Sequence, residues 1–341
     1  MRLLSVELRR FASRRANILF AVIGLLFLAG SLTVLGLSTH KPTEAEISRA
    51  ESQAEEEREV TERELKECED YWAENPDADP ENPDPDDFES GKVEDYGYTP
   101  DCEYLQQPSD VQASDYLGQV ISFADEAEGQ IIFLGVVFVV CALLMSGSFV
   151  GAEWTSGGMT NLLLWRPRRT AVYASKLTAA LLAVLTLTIV ASVLHIGGLY
   201  LLAVTNGDVG TLTPSWWQDN GNLALRFLAL VAMATVIGVS LSMIGRRTVV
   251  AIGSVVAYLV VVEYGIRGLL STVNTHFVDY WMLSTYVGAW LVGKQQVYSS
   301  YLDGTAQVET IYMWHGGGVL AAVTAILLAG SAVLFARRDT A

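Results

Sequence analysis

Gly151-Ala-Glu153-Trp154-Thr155-Ser156-Gly157-Gly158-Met159-Thr160, leading into Trp165-Arg166-Pro167-Arg168-Arg169, is a polar, glycine-rich turn and a basic cluster set between two long apolar runs. A hydrocarbon core of ~30 Å is crossed by roughly 20 apolar helical residues at ~1.5 Å each. The runs on either side, Gly129 to Val150 and Leu177 to Val204, meet that length. The quoted stretch therefore reads as a loop between two membrane spans.

Working outward, four more runs qualify: Ile18 to Leu37, Phe227 to Gly245, Val249 to Leu270 and Gly316 to Ala336. The expected fold is an all-α polytopic membrane protein with six transmembrane helices. The first run follows a basic leader, as a signal peptide does, but it is long and Ser38-Thr39-His40 is a poor small-residue cleavage site, so a retained span is expected. Short cytoplasmic loops keep Lys and Arg. Arg9, Arg10, Arg14 and Arg15 precede span one, Arg166 to Lys176 separate spans two and three, Arg246 and Arg247 separate four and five, and Arg337 and Arg338 follow six. With both termini in the cytoplasm, every cluster lies inside, and a multi-pass protein of the plasma membrane is expected.

The net charge of −16 belongs to one region. Residues 41–128 hold 29 acids and 6 bases, and the remainder holds 9 acids and 16 bases. The expected organisation is a cytoplasmic interfacial helix at 1–16, a first span at 17–37, an acidic extracytoplasmic helical insert at 38–128, and five further spans in 129–341. Within the last part fall a cytoplasmic loop at 151–176 and an outer aromatic segment at 271–314. Leu4, Leu8 and Phe11 at helical spacing suit an amphipathic helix in the inner interface; the alternative is a disordered basic leader. In the insert, Ile47, Ala50, Ala54, Thr61, Leu65, Cys68 and Trp72 form a narrow stripe interrupted by Arg58, which predicts a surface helix over 41–75. Prolines from Asn75 to Asp87 end it, and Val111 to Glu128 suggests a return helix. The loop Thr205 to Asn222 places Trp216 and Trp217 at a membrane interface, and Ser271 to Trp314, rich in Trp and Tyr, reads as short helices at the outer leaflet.

Cys68 and Cys102 share the external insert, where oxidation is permitted, so a disulfide is expected there; the alternative is two free thiols. Cys141, in mid-span, reads as a packing residue, and His195 as a hydrogen-bonded packing residue. The acids from Asp77 to Asp87 lack the regular ligand series of a calcium loop and read as a solvated tip. Gly288 to Gln295 lacks the hydroxyl residue of a phosphate-binding loop, so it is a chance match and the chain binds no nucleotide or metal of its own. Glu263 and Arg267, spaced i, i+4 within span five, form a candidate intramembrane polar pair: either a station on a path or dimer contact, or two interfacial residues near the outer end. Gly147 and Gly151 make a GxxxG that permits close helix approach.

The order of these parts resembles a permease, the transmembrane subunit, of the ATP-binding-cassette (ABC) type-two exporter family. Gly151, Glu153, Thr160, Leu162, Leu163, Pro167, Arg168 and Arg169 match that family's loop between spans two and three, although Gly158-Met159-Thr160 splits its usual glycine-threonine pair. The resemblance implies that Gly151, Glu153, Gly157, Gly158, Thr160, Pro167, Arg168 and Arg169 couple the chain to a separate cytoplasmic ATPase dimer, which holds the ATP and magnesium. It also implies a second permease copy or a related permease as partner, membrane lipids around both, no nucleic acid, and a path lined by spans two and five. The expected function is outward movement of a hydrophobic or amphipathic small molecule, peptide or lipid. The rival reading is a non-transporting scaffold or sensor whose acidic external domain binds a partner; an ion exporter would need more buried charge than Glu263 and Arg267 supply.

Overall fold

The computed structural model describes residues 2–74, 102, 107–116, 120–272, 278–300 and 306–337. Six of its helices are long and apolar enough to cross a membrane, and the protein is an all-α polytopic membrane protein. In chain order the elements are α1 (Arg2–Ser13), α2 (Arg15–Ser38), α3 (Glu44–Glu74), α4 (Phe123–Thr155), α5 (Gly158–Trp165), α6 (Arg169–Asn206) and α7 (Pro214–Gly245). There follow α8 (Thr248–Ala257), a π-helix (Tyr258–Ile266), α9 (Arg267–Thr272), α10 (Leu283–Val292), β1 (Lys294–Ser300), β2 (Ala306–Tyr312) and α11 (Met313–Arg337). Spans one to six are α2, α4, α6, α7, the α8 to α9 stretch and α11. Each expected apolar run lies inside one of these helices, because apolar length alone is what a bilayer selects.

The chain divides into two compact units. The first, residues 1–34, 123–201 and 209–341, holds most of the spans. Its core is built on α4, where Leu134, Phe138, Met145 and Phe149 pack with Leu28, Val184 and Val231. Cys141 is buried there with its Sγ directed at the Phe20 carbonyl, and buried His195 meets Gln130 Oε1 through Nε2 at 2.9 Å. Trp216 and Trp217 lie on the first turn of α7, not in a loop: Thr213 caps the helix by accepting from Trp216 N at 3.2 Å, and Pro214 sits where its missing N–H costs nothing. Among the described residues between Val278 and Tyr312 the expected short helices occur as a 3-10 turn (Val278–Trp281) and α10. Strands β1 and β2 follow as an antiparallel pair with Lys294 opposite Tyr312 and Ser300 opposite Ala306. Val297 and Ile311 point inward from it while Tyr298 and Val308 are exposed, a period of two that the density of aromatics conceals.

The second unit comprises residues 35–122 and 202–208. The helix expected over 41–75 is α3, and it starts at a reciprocal cap. Thr43 donates its backbone N–H and its hydroxyl to Glu46 Oε2, each at 2.8 Å, and Glu46 N donates to Thr43 Oγ1 at 3.3 Å. Among the described side chains of the stripe, Ala50, Ala54 and Thr61 are buried. Arg58, which interrupts it, donates from Nε to the Val111 carbonyl at 3.0 Å and ties down the returning chain. Cys68 and Cys102 form the expected disulfide, with Cα atoms 6.0 Å apart. The return helix is shorter than expected and begins at Phe123. Upstream, Asp115 accepts from Gln112 N at 3.0 Å, a local bond that favours a 3-10 turn over continued helix. Ser122 and Asp208 form an isolated parallel bridge in this unit. The acidic tip from Asn75 to Asp87, together with Arg338, lies outside the described residues.

Candidate coupling site between the second and third spans

All the elements of this site belong to the first unit. The end of α4 is held against the turn that joins α7 to α8. Ser242 Oγ donates to the Gly147 carbonyl at 2.8 Å, and a Cβ on Gly151 would lie 2.3 Å from Thr248 N. Only glycine permits that approach, so the GxxxG is the contact between span two and the start of span five. Helix α4 continues past the glycines to Thr155 and stops at Gly157, whose φ of 73° is left-handed.

Helix α5 starts at the next residue. Met159 and Leu163 turn inward and are buried, whereas Leu164 is 77% and Trp165 88% exposed. Arg166 N closes the helix on the Leu162 carbonyl at 2.9 Å, and Pro167 prevents its continuation. Arg166, Pro167 and Arg168 are exposed, and Arg169 Nη1 reaches the Ala336 carbonyl at 3.4 Å. Gly158 and Thr160 are half-buried on α5. The expected coupling residues thus separate: Pro167 and Arg168 face outward, beside Leu164, Trp165 and Arg166, which the expectation did not name, whereas Gly151 and Glu153 face inward.

Glu153 belongs to the inward group. Its carboxylate pairs with Lys176 on α6, and its side chain is 15% exposed, so it is not a surface contact. Lys176 Nζ also meets Glu7 Oε2 of α1 at 2.9 Å, and both of those side chains are fully buried. Arg10 Nη1 lies 3.5 Å from Glu7 Oε1, and Lys176 stands 5.0 Å over the Phe149 ring. Arg14 donates to Ser148 Oγ at 3.1 Å and to the Phe149 carbonyl at 3.4 Å. Burial pulls the Arg14 guanidinium below its usual value, and the Glu153 charge works the other way. Glu7, Lys176 and Glu153 thereby tie α1, α4 and α6 together by charge. Neither Glu7 nor the central role of Lys176 is evident from composition. One signal was available: Glu7 falls on the apolar face of α1, one turn from Leu4 and Phe11, and a carboxylate on such a face requires a partner.

Around this centre, Tyr173 OH meets Ser331 Oγ at 2.7 Å and Ser240 Oγ at 3.5 Å, joining α6, α11 and α7. Trp154 meets Phe335 edge-on at 6.0 Å, and the Arg246 guanidinium lies 5.0 Å over the Trp154 ring.

The candidate pair in span five makes no direct ion pair, although the Arg267 charge still acts on the Glu263 carboxylate. Glu263 accepts from Tyr258 OH at 2.8 Å and from Ser284 N and Oγ at 3.0 and 2.6 Å, while Arg267 pairs with Asp279 at 2.6 Å. The cause is the π-helix over Tyr258–Ile266, whose i→i+5 bonding widens the turn so that residues four apart no longer stack. Gly288 to Gln295 runs from helix to strand, the reverse of a phosphate-binding loop. No cluster of metal-ligating side chains occurs among the described residues.

A family model matches residues 101–341, that of the family described as "Protein of unknown function (DUF2705)", and the chain belongs to this family. No curated protein and no solved structure matches the chain.

Proposed function

We propose that this member of the family is the permease subunit of an ATP-binding-cassette exporter, coupled through α5 to a separate cytoplasmic ATPase. The observation that carries the reading is α5 itself. A short helix set off from span two by one left-handed glycine presents Leu164 and Trp165 to the outside, with Arg166 and Arg168 beside them. Apolar anchors rimmed by charge are the usual centre of a protein interface, and truncating a Trp anchor there typically costs at least ~2 kcal/mol of binding.

In this reading both termini and α5 face the cytoplasm, because the basic clusters gather at that side. ATP binding closes the ATPase dimer and pushes on α5. Met159 and Leu163 pass the push into the core, and the Glu153 to Lys176 pair makes α4 and α6 move as one body. The contact of Gly147 and Gly151 with Thr248 is then the surface on which span two shifts against span five. The two conformations need an ATPase with different affinity for each. The cargo is a hydrophobic or amphipathic molecule, in keeping with the apolar interior.

The test is photo-crosslinking from position 165 in native membranes, followed by purification of the complex. The expected adduct is a protein carrying an ATP-binding-cassette motif, in a complex that hydrolyses ATP, with capture lowered more than tenfold by Leu164→Asp. An adduct without such a motif, in a complex without ATPase activity, would refute the reading in favour of a scaffold.

A further inference from the structure

A cavity of about 420 Å³ lies among α4, α6 and α7, toward the N-terminal ends of α4 and α7. Leu134, Phe138, Phe227 and Val231 form its deep walls, and no charged side chain is among its described lining residues. Its mouth includes Val193 on α6 and Trp217 on α7, both well exposed; on helices of membrane-crossing length such apolar surfaces meet lipid. An apolar opening of this size facing lipid is filled by lipid rather than by water, which needs several polar partners to enter.

Among the described residues lining the cavity, one buried polar atom has no hydrogen-bond partner. Asn220 Nδ2 donates to the Trp216 carbonyl at 3.1 Å, which fixes the amide and leaves Oδ1 as the acceptor. That Oδ1 is buried with no hydrogen bond among the described residues, and Asn220 lines the cavity. A buried acceptor without a donor is destabilising, so a donor is the missing part of this site. From Asn220 to Val231 the cavity runs about 16 Å along α7, close to half of a ~30 Å hydrocarbon core. Its depth is that of one leaflet, with the acceptor at the level of the tryptophan pair, where head groups sit.

We propose that this cavity binds one alkyl chain of a neutral amphiphile taken from the adjacent leaflet, with a hydroxyl or amide N–H of its head donating to Asn220 Oδ1. The absence of charge on the walls excludes an ionic head, whose desolvation would go uncompensated. The chain lies along Phe227, Leu134 and Phe138, and the head rests by Trp216. The assignment concerns binding and stands whether or not the chain transports.

The test uses the full-length protein in phosphatidylcholine nanodiscs with a monoacylglycerol carrying a mid-chain diazirine. Photolysis is expected to place adducts on peptides containing Leu134, Phe138 or Phe227, and excess unlabelled monoacylglycerol is expected to suppress them. Ser192→Phe and Ala224→Trp, which fill the cavity from two different walls, each lower the labelling at least tenfold. Asn220→Leu lowers it several-fold, up to about tenfold, the value of one neutral hydrogen bond. The dimethyl ether of the probe labels the native protein as weakly as the hydroxyl probe labels Asn220→Leu. Labelling that excess monoacylglycerol does not suppress, adducts confined to other spans, or labelling that stays at the native level in both filled variants overturns the site. Equal labelling by the ether, or by a lysophosphatidic acid of the same chain, overturns the neutral-donor assignment.

Discussion

Lys176 carries its charge where water does not reach, and the carboxylates of Glu7 and Glu153 hold it there. Removing one partner of a buried pair leaves an uncompensated charge, at a cost of about 3–5 kcal/mol. Lys176→Met is therefore expected to lower the thermal unfolding midpoint in detergent strongly, and Glu7→Gln combined with Lys176→Met to recover much of the loss. An unchanged midpoint in Lys176→Met would contradict the triad. It follows that Glu153 is a poor probe of partner contact, because its loss acts through the interior. This arrangement could not be read from the sequence, since Glu7 and Lys176 lie far apart along the chain and only tertiary packing brings them together. A second residue-scale expectation concerns Glu46. Its carboxyl is pulled down to about 2, first by the Thr43 backbone N–H, then by the Thr43 hydroxyl and by His40. A folded value below the usual 4.5 means that this contribution is present above pH 4.5 and is lost as pH falls toward 2. Carbon-detected titration of Glu46 should show a midpoint near 2 that rises in Thr43→Val, and a midpoint near 4.5 in the native protein would remove the cap.

Among the elements, the spans were legible because a bilayer imposes a length, and the α3 stripe because a helix imposes a period. The pairing of β1 and β2 was not, since a segment dense in Tyr and Trp satisfies an interfacial helix and a strand equally until its alternation is counted. The π-helix of span five was hidden for a different reason. No residue pattern announces an i→i+5 ladder, and it moves Arg267 away from Glu263 toward Asp279. The GxxxG was visible, but its partner, the start of α8, was not. Gly151→Val drives a side chain into the Thr248 backbone and is expected to destabilise by roughly 1–3 kcal/mol, as overpacking does. Gly253→Val, placed where nothing stands within 4 Å, is the control and should leave the unfolding midpoint unchanged. Equal midpoints for the two variants would show that α4 and α8 do not meet as described.

For the whole molecule, orientation is the property that makes the proposed coupling possible, and it is open to direct labelling. In a background without native cysteines, a membrane-impermeant maleimide applied to intact cells should modify Glu59→Cys on α3 but not Ser156→Cys beside α5. Both positions are exposed, so access depends on the side of the membrane alone. Modification of Ser156→Cys from outside would reverse the topology and remove the ATPase from the site proposed for it. Helix α4 has a further consequence at this scale. It runs from Phe123 to Thr155 without a proline, a stiff rod of about 50 Å. Its contact with Thr248 sits near one end, so under the proposed coupling it would act as a lever with a short arm at α5 and a long arm reaching the apolar cavity. A tilt of ~5° about Gly151 would sweep the Phe123 end by ~4 Å, given the ~42 Å of helix between them. If α5 is pushed as proposed, a small displacement there would be enlarged at the far end, and the cavity wall formed by α4 would be what moves.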